Sequence, residues 1–192
     1  ELYYWLGTAI TAIFVIGGCN AANLIDGLDG LLAGTTTIMA LGFLAISLTM
    51  AYAFPVENTE TSLAGTRIIL SLILLGVTLG FLPYNFNPAV IFLGDCGSLL
   101  IGYLSVVIIM TFGEFGTTKY SVAGLICFGL PILDTTLAII RRKVAGLSMS
   151  DADSNHIHHR LKRYFGGNVR KTVLTLYAIA AGFTIVGVGL SA

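Results

Sequence analysis

The sequence predicts an all-α, polytopic membrane protein with about six transmembrane helices, in a single integral membrane domain that covers residues 1–192. Hydrophobic residues make up 56% of the chain and charged residues only 10%, whereas globular domains carry about 25% charge. The mean hydropathy is +0.89. Several charge-free runs also approach or exceed the roughly 20 apolar residues that span a bilayer.

The apolar runs define the helices one by one. Aromatic residues 3–5 begin the first helix and suit a membrane interface. Pro55 lies near the outer end of the second helix, where it can end the helix at little energetic cost. Pro83 and Pro88 predict an irregular segment after the third helix, which is tolerated at a membrane boundary where it lines a polar cavity. The predicted spans are Tyr3–Ala22, Leu31–Pro55, Arg67–Leu82, Leu99–Phe112, Ser121–Ile140 and Thr172–Leu190.

The fifth predicted helix is the least regular, because it contains Pro131 and Asp134. Asp134 lies about two turns before Arg141 and Arg142, so a paired structural carboxylate and a site residue explain it equally well.

Positive charge is concentrated in one loop, between the fifth and sixth predicted helices. By the positive-inside rule that loop is cytoplasmic, and helix alternation places segments 23–30 and 83–95 on the same side. All six aspartates and all three histidines then face the cytoplasm, which predicts a multi-pass inner-membrane protein with a cytoplasmic active site. The eight cations are Arg141, Arg142, Lys143, Arg160, Lys162, Arg163, Arg170 and Lys171.

The segment Asn20–Gly30 places two amides and two carboxylates between long apolar runs. Ionisable groups at a bilayer edge are costly unless they are paired, solvated or bound to a cation, so they indicate function. A polar helix end with Asp29 capping the second helix is the structural alternative. The side chains concerned are Asn20, Asn23, Asp26 and Asp29.

Two further motifs lie on the same predicted face. Asp95 follows an apolar strip and is explained either as a helix N-cap, with Phe92 at the membrane interface, or as a ligand for a divalent cation. The segment from His156 to Arg163 carries three imidazoles and then cations, which suits phosphoryl oxygens better than a zinc site.

Together, Asn20–Gly30, Phe92–Ser98 and His156–Leu161 resemble the polyprenyl-phosphate N-acetylhexosamine-1-phosphate transferases. The resemblance implies transfer of a sugar phosphate from a UDP-N-acetylhexosamine to a polyprenyl phosphate, with release of UMP and dependence on Mg²⁺, or alternatively Mn²⁺. This is the first membrane step of a cell-envelope glycan such as lipopolysaccharide or teichoic acid. The pattern of histidines favours an N-acetylglucosamine donor over the pentapeptide donor of the peptidoglycan translocase.

The resemblance also implies roles for single residues. Asp95 is implied to hold the metal, with Asp26 beside it as a catalytic or metal-adjacent carboxylate. The implied substrate-binding residues are Asn23, Asp29, Asn85, Phe92 and Arg160, with Phe92 stacking on uracil. The implied catalytic loop contains His156, His158 and His159. Direct attack and a covalent aspartyl intermediate both remain compatible with the sequence.

The family usually carries an adjacent aspartate pair on an earlier loop, and no two aspartates adjoin here. With the absent initiator methionine, this leads us to expect the C-terminal portion of a longer enzyme. The expected partners are the bilayer and the two substrates, without nucleic acid, and a homodimer is compatible with the sequence.

Three alternatives are less well supported. A CDP-alcohol phosphotransferase also uses an Asp-Gly motif and Mg²⁺, but it expects Ala-Arg after that motif, where this chain has neither. A transporter would place its carboxylates near the membrane midplane rather than at one boundary. A purely structural membrane subunit would not need the histidine cluster.

Overall fold

The computed structural model describes residues 1–55, 63–146 and 156–192, and within these ranges it contains α-helices and no strand. Five helices are long and apolar enough to span a membrane, and a bent helix pair accounts for a sixth span. The all-α, polytopic prediction is therefore confirmed. The helices are α1 (Leu2–Ile25), α2 (Leu31–Ala53), α3 (Ala64–Asn85), α4 (Gly94–Thr111), α5 (Thr118–Cys127), α6 (Gly129–Val144), α7 (Ile157–Tyr164) and α8 (Val169–Ser191).

The predicted single helix over Ser121–Ile140 is instead two helices, because α5 and α6 meet at a bend of 73°. Pro131 explains the break. Its nitrogen has no hydrogen to donate to the carbonyl of Cys127, where α5 ends, and its ring disfavours a continuous helix. In α6 the proline occupies the first turn, where a missing N–H costs no hydrogen bond.

α2 is the central helix of the bundle and packs against α3, α8, α5 and α4. It carries no charged residue, and its core side chains Met39, Phe43 and Ile46 are fully buried. An all-round apolar helix is typical of such a central position.

α1 packs closely against α4 because small residues line the contact. A Cβ atom on Gly102 of α4 would lie only 2.6 Å from the Cα atom of Cys19 and 2.7 Å from the carbonyl oxygen of Gly18. Close packing through small residues is the usual way in which membrane helices associate. It brings the end of α1 beside the start of α4.

Two helix ends differ from the predicted ones. α3 continues past Leu82 to Asn85, with Pro83 in its last turn. α4 begins at Gly94 rather than Leu99, so Asp95 lies inside the first turn and is not the N-cap. Both changes place predicted site residues on helices rather than on irregular backbone.

One end of the bundle, which we term the polar end, is formed by residues 23–30, 84–95 and 156–170. The short amphipathic helix α7, which the sequence did not predict, packs there against α8. At the opposite end, Arg67 of α3 pairs with Glu114, which follows α4. Connected helices alternate in direction, so segments far apart in sequence meet at the same end.

Candidate active site

Three separated segments contact one another at the polar end. The Asn23 side chain at the end of α1 donates hydrogen bonds from Nδ2 to Asp95 Oδ1 at 3.0 Å and to Ser98 Oγ at 2.8 Å, both on α4. The ring of His158 on α7 lies where a Cβ atom on Gly27 would be. The segment after α1 thus joins α4 on one side and α7 on the other.

Asp26 lies between these two contacts, as the C-cap residue of α1. Burial, and then the negative charge of Asp95, raises the pKa of the Asp26 carboxyl from its usual value near 4 to about 6. Two carboxylates that repel each other in a partly buried site are an arrangement that a bound cation relieves.

The Asp26–Asp95 pair fits Mg²⁺ by its donor chemistry. Mg²⁺ is usually bound by one or two carboxylates, and waters and substrate phosphates complete its shell. Mn²⁺ accepts the same oxygen donors. Within the part of the chain that the structure describes, no three His, Cys, Asp or Glu side chains form a metal cluster, so a site built from protein ligands alone is not present there.

A cavity of about 270 Å³ opens beside Asp26 and brings together residues predicted to bind the nucleotide. Phe92 is 71% exposed, so a face of its ring is accessible for stacking. The lining residues are Asp26, Gly27, Leu28, Asp29, Asn85, Phe92, Leu93 and Gly94.

Asn85 supports the cavity more than it faces into it. The residue is only 3% exposed. Its Oδ1 accepts a hydrogen bond from the Gly30 backbone nitrogen at 3.1 Å, and its Nδ2 donates to the carbonyl oxygen of Ile91 at 2.9 Å. Asn85 therefore ties the start of α2 to the strip that carries Phe92.

Asp29 has a similar supporting contact. Its Oδ2 accepts hydrogen bonds from Asn87 Nδ2 at 2.9 Å and from the Ala89 backbone nitrogen at 3.2 Å. It does not cap α2, because the N-cap is Gly30 in a left-handed conformation and no side-chain cap is formed. One oxygen of Asp29 thus holds the 87–89 turn, while the residue still lines the cavity.

The histidine segment is fixed to α6 by Asp134, which is 1% exposed. The Asp134 Oδ2 atom lies 2.7 Å from His156 Nδ1, and Oδ1 accepts a hydrogen bond from the Ile157 backbone nitrogen at 2.7 Å. Both oxygens therefore serve the start of α7. The sequence left open whether Asp134 is a structural or a site residue, and the structure places it against the histidine cluster.

His158 is the most buried of the three histidines, at 2% exposure. Burial, and then the charge of His159, lowers the pKa of the His158 ring to about 4, against the opposing effect of Asp134. Burial also lowers the pKa of His159, followed by the charge of His156. The ring centroids of His158 and His159 are 4.2 Å apart. With its lowered pKa, His158 is uncharged at neutral pH.

Arg160 is not brought to the Phe92 cavity. It is exposed and lines a separate surface groove of about 400 Å³ together with Ile157, Leu161 and Tyr164. Because it is two positions from His158, it lies on the opposite side of α7. Its predicted role in binding substrate phosphates stays a prediction.

An apolar groove of about 270 Å³ runs between α1, α4 and α6. The bend between α5 and α6 contributes Phe128 to it, and α6 adds Ile132, Thr135 and Thr136, the last two of which directly follow Asp134. The groove is thus lined in part by α6, the helix whose Asp134 holds the histidine segment.

Sequence reasoning assigned no separate role to Ser98 and did not identify the partner of Asp134. Ser98 accepts from Asn23 and lies three positions after Asp95, so the spacing of one helical turn could have indicated it. The contact between Asp134 and His156 spans 22 positions with a break between helices, and no local pattern indicates it.

Comparison with known proteins gives a consistent result. The family model of glycosyl transferase family 4 matches residues 1–113. The chain is 41% identical over 186 residues to a probable undecaprenyl-phosphate N-acetylglucosaminyl 1-phosphate transferase of Bacillus subtilis (strain 168), covering 94% of this chain and 47% of that protein.

Two other relatives are similar along most of the chain. A decaprenyl-phosphate N-acetylglucosaminephosphotransferase of Mycolicibacterium smegmatis is 35% identical over 180 residues, covering 88% of this chain and 43% of the relative. A phospho-N-acetylmuramoyl-pentapeptide-transferase of Anoxybacillus flavithermus is 34% identical over 190 residues, covering 95% of this chain and 52% of that protein. The chain spans about half the length of these relatives.

Proposed function

The chain belongs to glycosyl transferase family 4, and from that premise we propose that it forms the active site of an N-acetylhexosamine-1-phosphate transferase. The proposed reaction transfers GlcNAc-1-phosphate from UDP-GlcNAc to a polyprenyl phosphate and releases UMP. The observation that carries the proposal is the contact of Asn23 with Asp95 and of Gly27 with His158, since it joins three polar segments at one end of an apolar bundle.

The reaction places one phosphate oxygen against another phosphorus, so charge repulsion is its first obstacle. An oxygen of the acceptor phosphate forms a bond to the sugar-bearing phosphorus of the donor, and the bond between the two donor phosphates breaks, releasing UMP. Asp26 and Asp95 would hold Mg²⁺, which neutralises charge on the diphosphate when it is bound. Uncharged His158 and its neighbours offer ring nitrogens for hydrogen bonds without adding a further carboxylate.

Binding of the donor rests on the cavity beside Asp26. Phe92 offers an exposed aromatic face for the uracil ring, and Asp29, which also lines the cavity, offers an acceptor oxygen. The hydrogen bonds of Asn85 with the Gly30 nitrogen and the Ile91 carbonyl oxygen hold together the segments that carry Asp29 and Phe92. Phe92→Ala would therefore weaken donor binding more than it slows chemistry.

The acceptor is proposed to occupy the groove between α1, α4 and α6. Its lining is mostly apolar, which suits an isoprenoid chain, and it includes Thr135, the residue next to Asp134. A groove of this kind keeps the chain in an apolar environment while its phosphate reaches the polar end.

We place the polar end in the cytoplasm, because it carries four of the eight basic residues of the loop rich in Lys and Arg, namely Arg160, Lys162, Arg163 and Arg170. The protein is then an enzyme of the cytoplasmic membrane that uses a cytoplasmic nucleotide sugar. Cell-wall precursor synthesis is the process that this chemistry serves.

The test is release of UMP by the purified full-length gene product. We expect release only when UDP-GlcNAc, polyprenyl phosphate and Mg²⁺ or Mn²⁺ are all present, with UDP-N-acetylmuramoyl-pentapeptide as the comparison donor. Faster turnover of the pentapeptide donor would overturn the assigned sugar, and absence of UMP release with either donor would overturn the reaction.

A further inference from the structure

Asp134 is buried, lies on α6 and faces two nitrogen atoms of different kinds. The Ile157 backbone nitrogen, 2.7 Å from Oδ1, can only donate. The His156 ring nitrogen Nδ1, 2.7 Å from Oδ2, either donates or accepts, depending on where the imidazole carries its proton. A carboxylate accepts at both oxygens, so it requires the proton of His156 to be on Nδ1.

This requirement decides which nitrogen of His156 exchanges protons. In the neutral ring Nδ1 carries the hydrogen and Nε2 has the lone pair, and in the charged ring Nδ1 keeps its hydrogen while Nε2 gains one. Nε2 is thus the nitrogen available to substrate oxygens in either charge state. The arrangement resembles in principle the carboxylates that fix the tautomer of catalytic histidines in hydrolases.

We propose that Asp134 is a positioning residue that locks His156 with its proton on Nδ1, so that Nε2 is the nitrogen presented to the phosphoryl oxygens of the substrates. The inference rests on the proposed function for its catalytic consequence, while the tautomer itself is a property of the protein alone. It adds a residue outside the three motifs to the site.

The same contact ties the histidine segment to the apolar groove. Ile132, Thr135 and Thr136 of α6 line that groove, and Asp134 lies among them in the sequence. The helix proposed to contact the lipid chain therefore also sets the position of His156. In this proposal α6 positions both the lipid acceptor and the histidine that faces the phosphoryl oxygens.

Asparagine at position 134 gives an unusually sharp test, because an amide has one acceptor and one donor end. The Ile157 nitrogen accepts nothing, so the amide oxygen must face it, and the amide NH₂ must then face His156 Nδ1. We expect Asp134→Asn to move the imidazole proton to Nε2, with little change in fold. Asp134→Glu keeps two acceptor oxygens and is the conservative variant.

A control separates the tautomer from the helix cap. Ile157→Pro removes the backbone donor but leaves His156 and Asp134 unchanged, and proline is favoured at the first position of a helix. The backbone of His156, with φ −53° and ψ 154°, is already in the region that a residue before proline requires. In Ile157→Pro the proton should stay on Nδ1, and in Ile157→Pro with Asp134→Asn a Nδ1–H population should return, since nothing then fixes the amide.

The measurement is the ¹⁵N spectrum of the imidazoles in full-length protein labelled at histidine, with His156 assigned by substitution. The expected result is an unprotonated Nε2 in the wild type and in Asp134→Glu at a pH where the ring is neutral, and an unprotonated Nδ1 in Asp134→Asn. An unchanged tautomer in Asp134→Asn, or the same change in Asp134→Glu, would overturn the inference.

Kinetics give the second readout. Asp134→Asn should lower kcat by on the order of 10²–10⁴-fold while KM for UDP-GlcNAc changes little, and Asp134→Glu should recover part of the loss. Because a smaller folded fraction would also lower the apparent kcat at unchanged KM, kcat is calculated per folded protein, with the folded fraction measured by size-exclusion chromatography. A loss of activity that the folded fraction fully accounts for would contradict the proposal. If the wild type has no transferase activity, the proposed function fails, whereas the tautomer result still decides the role of Asp134 in holding His156.

Discussion

At the scale of single residues, burial shifts the pKa values of Asp26 and His158 at the polar end. Asp26 is held in its ionised form at neutral pH against both burial and the charge of Asp95, which together raise its pKa to about 6. Such a group lowers the free energy of unfolding at neutral pH. Residues of this kind are common where function requires a charge that stability does not favour.

Asp26→Asn is expected to stabilise the protein at pH 7 in the presence of EDTA. Between about pH 4 and 6 the folded wild type binds more protons than the unfolded chain, so its stability falls as pH rises through this window. After allowance for solvent screening, the gain at pH 7 should be on the order of 1 kcal/mol and should vanish below about pH 4. Thermal unfolding of both proteins across this range measures it. A less stable variant at pH 7, or a difference that persists at pH 4, would contradict the assignment.

At the scale of elements, the contact between α1 and α4 determines the geometry of Asn23 and Asp95. Gly102 permits this contact because any side chain there would meet backbone atoms of Gly18 and Cys19. Backbone cannot move aside as a flexible side chain can, so the two helices would have to separate. The hydrogen bond of 3.0 Å from Asn23 to Asp95 spans this interface.

Gly102→Ala should therefore destabilise the protein by about 1–3 kcal/mol and lower turnover, because the helices that carry Asn23 and Asp95 move apart. Gly80→Ala in α3 is the matched control, since nothing lies within 4 Å of its Cβ position. The control should retain stability and activity. Equal effects of the two substitutions, in unfolding and in UMP release, would show that the α1–α4 contact does not set the site.

The elements also show where prediction from sequence succeeds. Charge-free runs of sufficient length located α1, α2, α3, α4 and α8, because bilayer thickness imposes a length that composition reveals. The bend at Phe128 was missed although Pro131 was noted, since a proline in a long apolar run does not say whether the helix kinks or breaks. Helix α7 was missed because its eight residues lie in a polar loop, where no apolar run marks a helix.

For the site residues, the sequence predicts which of them lie at the same end of the bundle but not their hydrogen-bond partners. Motif spacing and helix parity brought Asn23, Asp26, Asp95 and His158 to one end, and the structure joins them. The sequence could not show that Asn85 bonds to Gly30 and Ile91 instead of standing open in the cavity. Partners of that kind depend on how helices pack, which a single sequence does not state.

At the scale of the whole molecule, the two ends of the bundle differ in the polar groups that they carry. The polar end gathers the residues of the candidate active site, while the opposite end holds the fully buried Arg67 against Glu114. Burial alone would raise the pKa of Glu114, but hydrogen bonds from the Leu63 backbone and from Arg67 lower it overall. Glu114, in the connection after α4, is thus a carboxylate that anchors the start of α3.

Glu114→Gln should destabilise the protein by about 3 kcal/mol, because Arg67 would remain buried without an anionic partner. Lys119→Gln is the control at the same end, and its loss should stay below about 1 kcal/mol, since Lys119 contacts only the Ser191 carbonyl and the Tyr120 ring among the described residues. Thermal unfolding measures both. Altered KM for UDP-GlcNAc in folded Glu114→Gln would contradict the separation of the two ends.

The central claim is that Asp95 belongs to a metal-dependent transfer site built from three segments. Asp95→Asn tests it most directly, because the amide oxygen can keep the hydrogen bond from Asn23 while the charge is lost. Cys96→Ser, at the exposed neighbouring position in the same turn, is the matched control. We expect UMP release by the full-length protein with Mg²⁺, UDP-GlcNAc and polyprenyl phosphate to be abolished in Asp95→Asn and retained in Cys96→Ser. Release that survives in Asp95→Asn, or that proceeds without a divalent cation, would contradict the account.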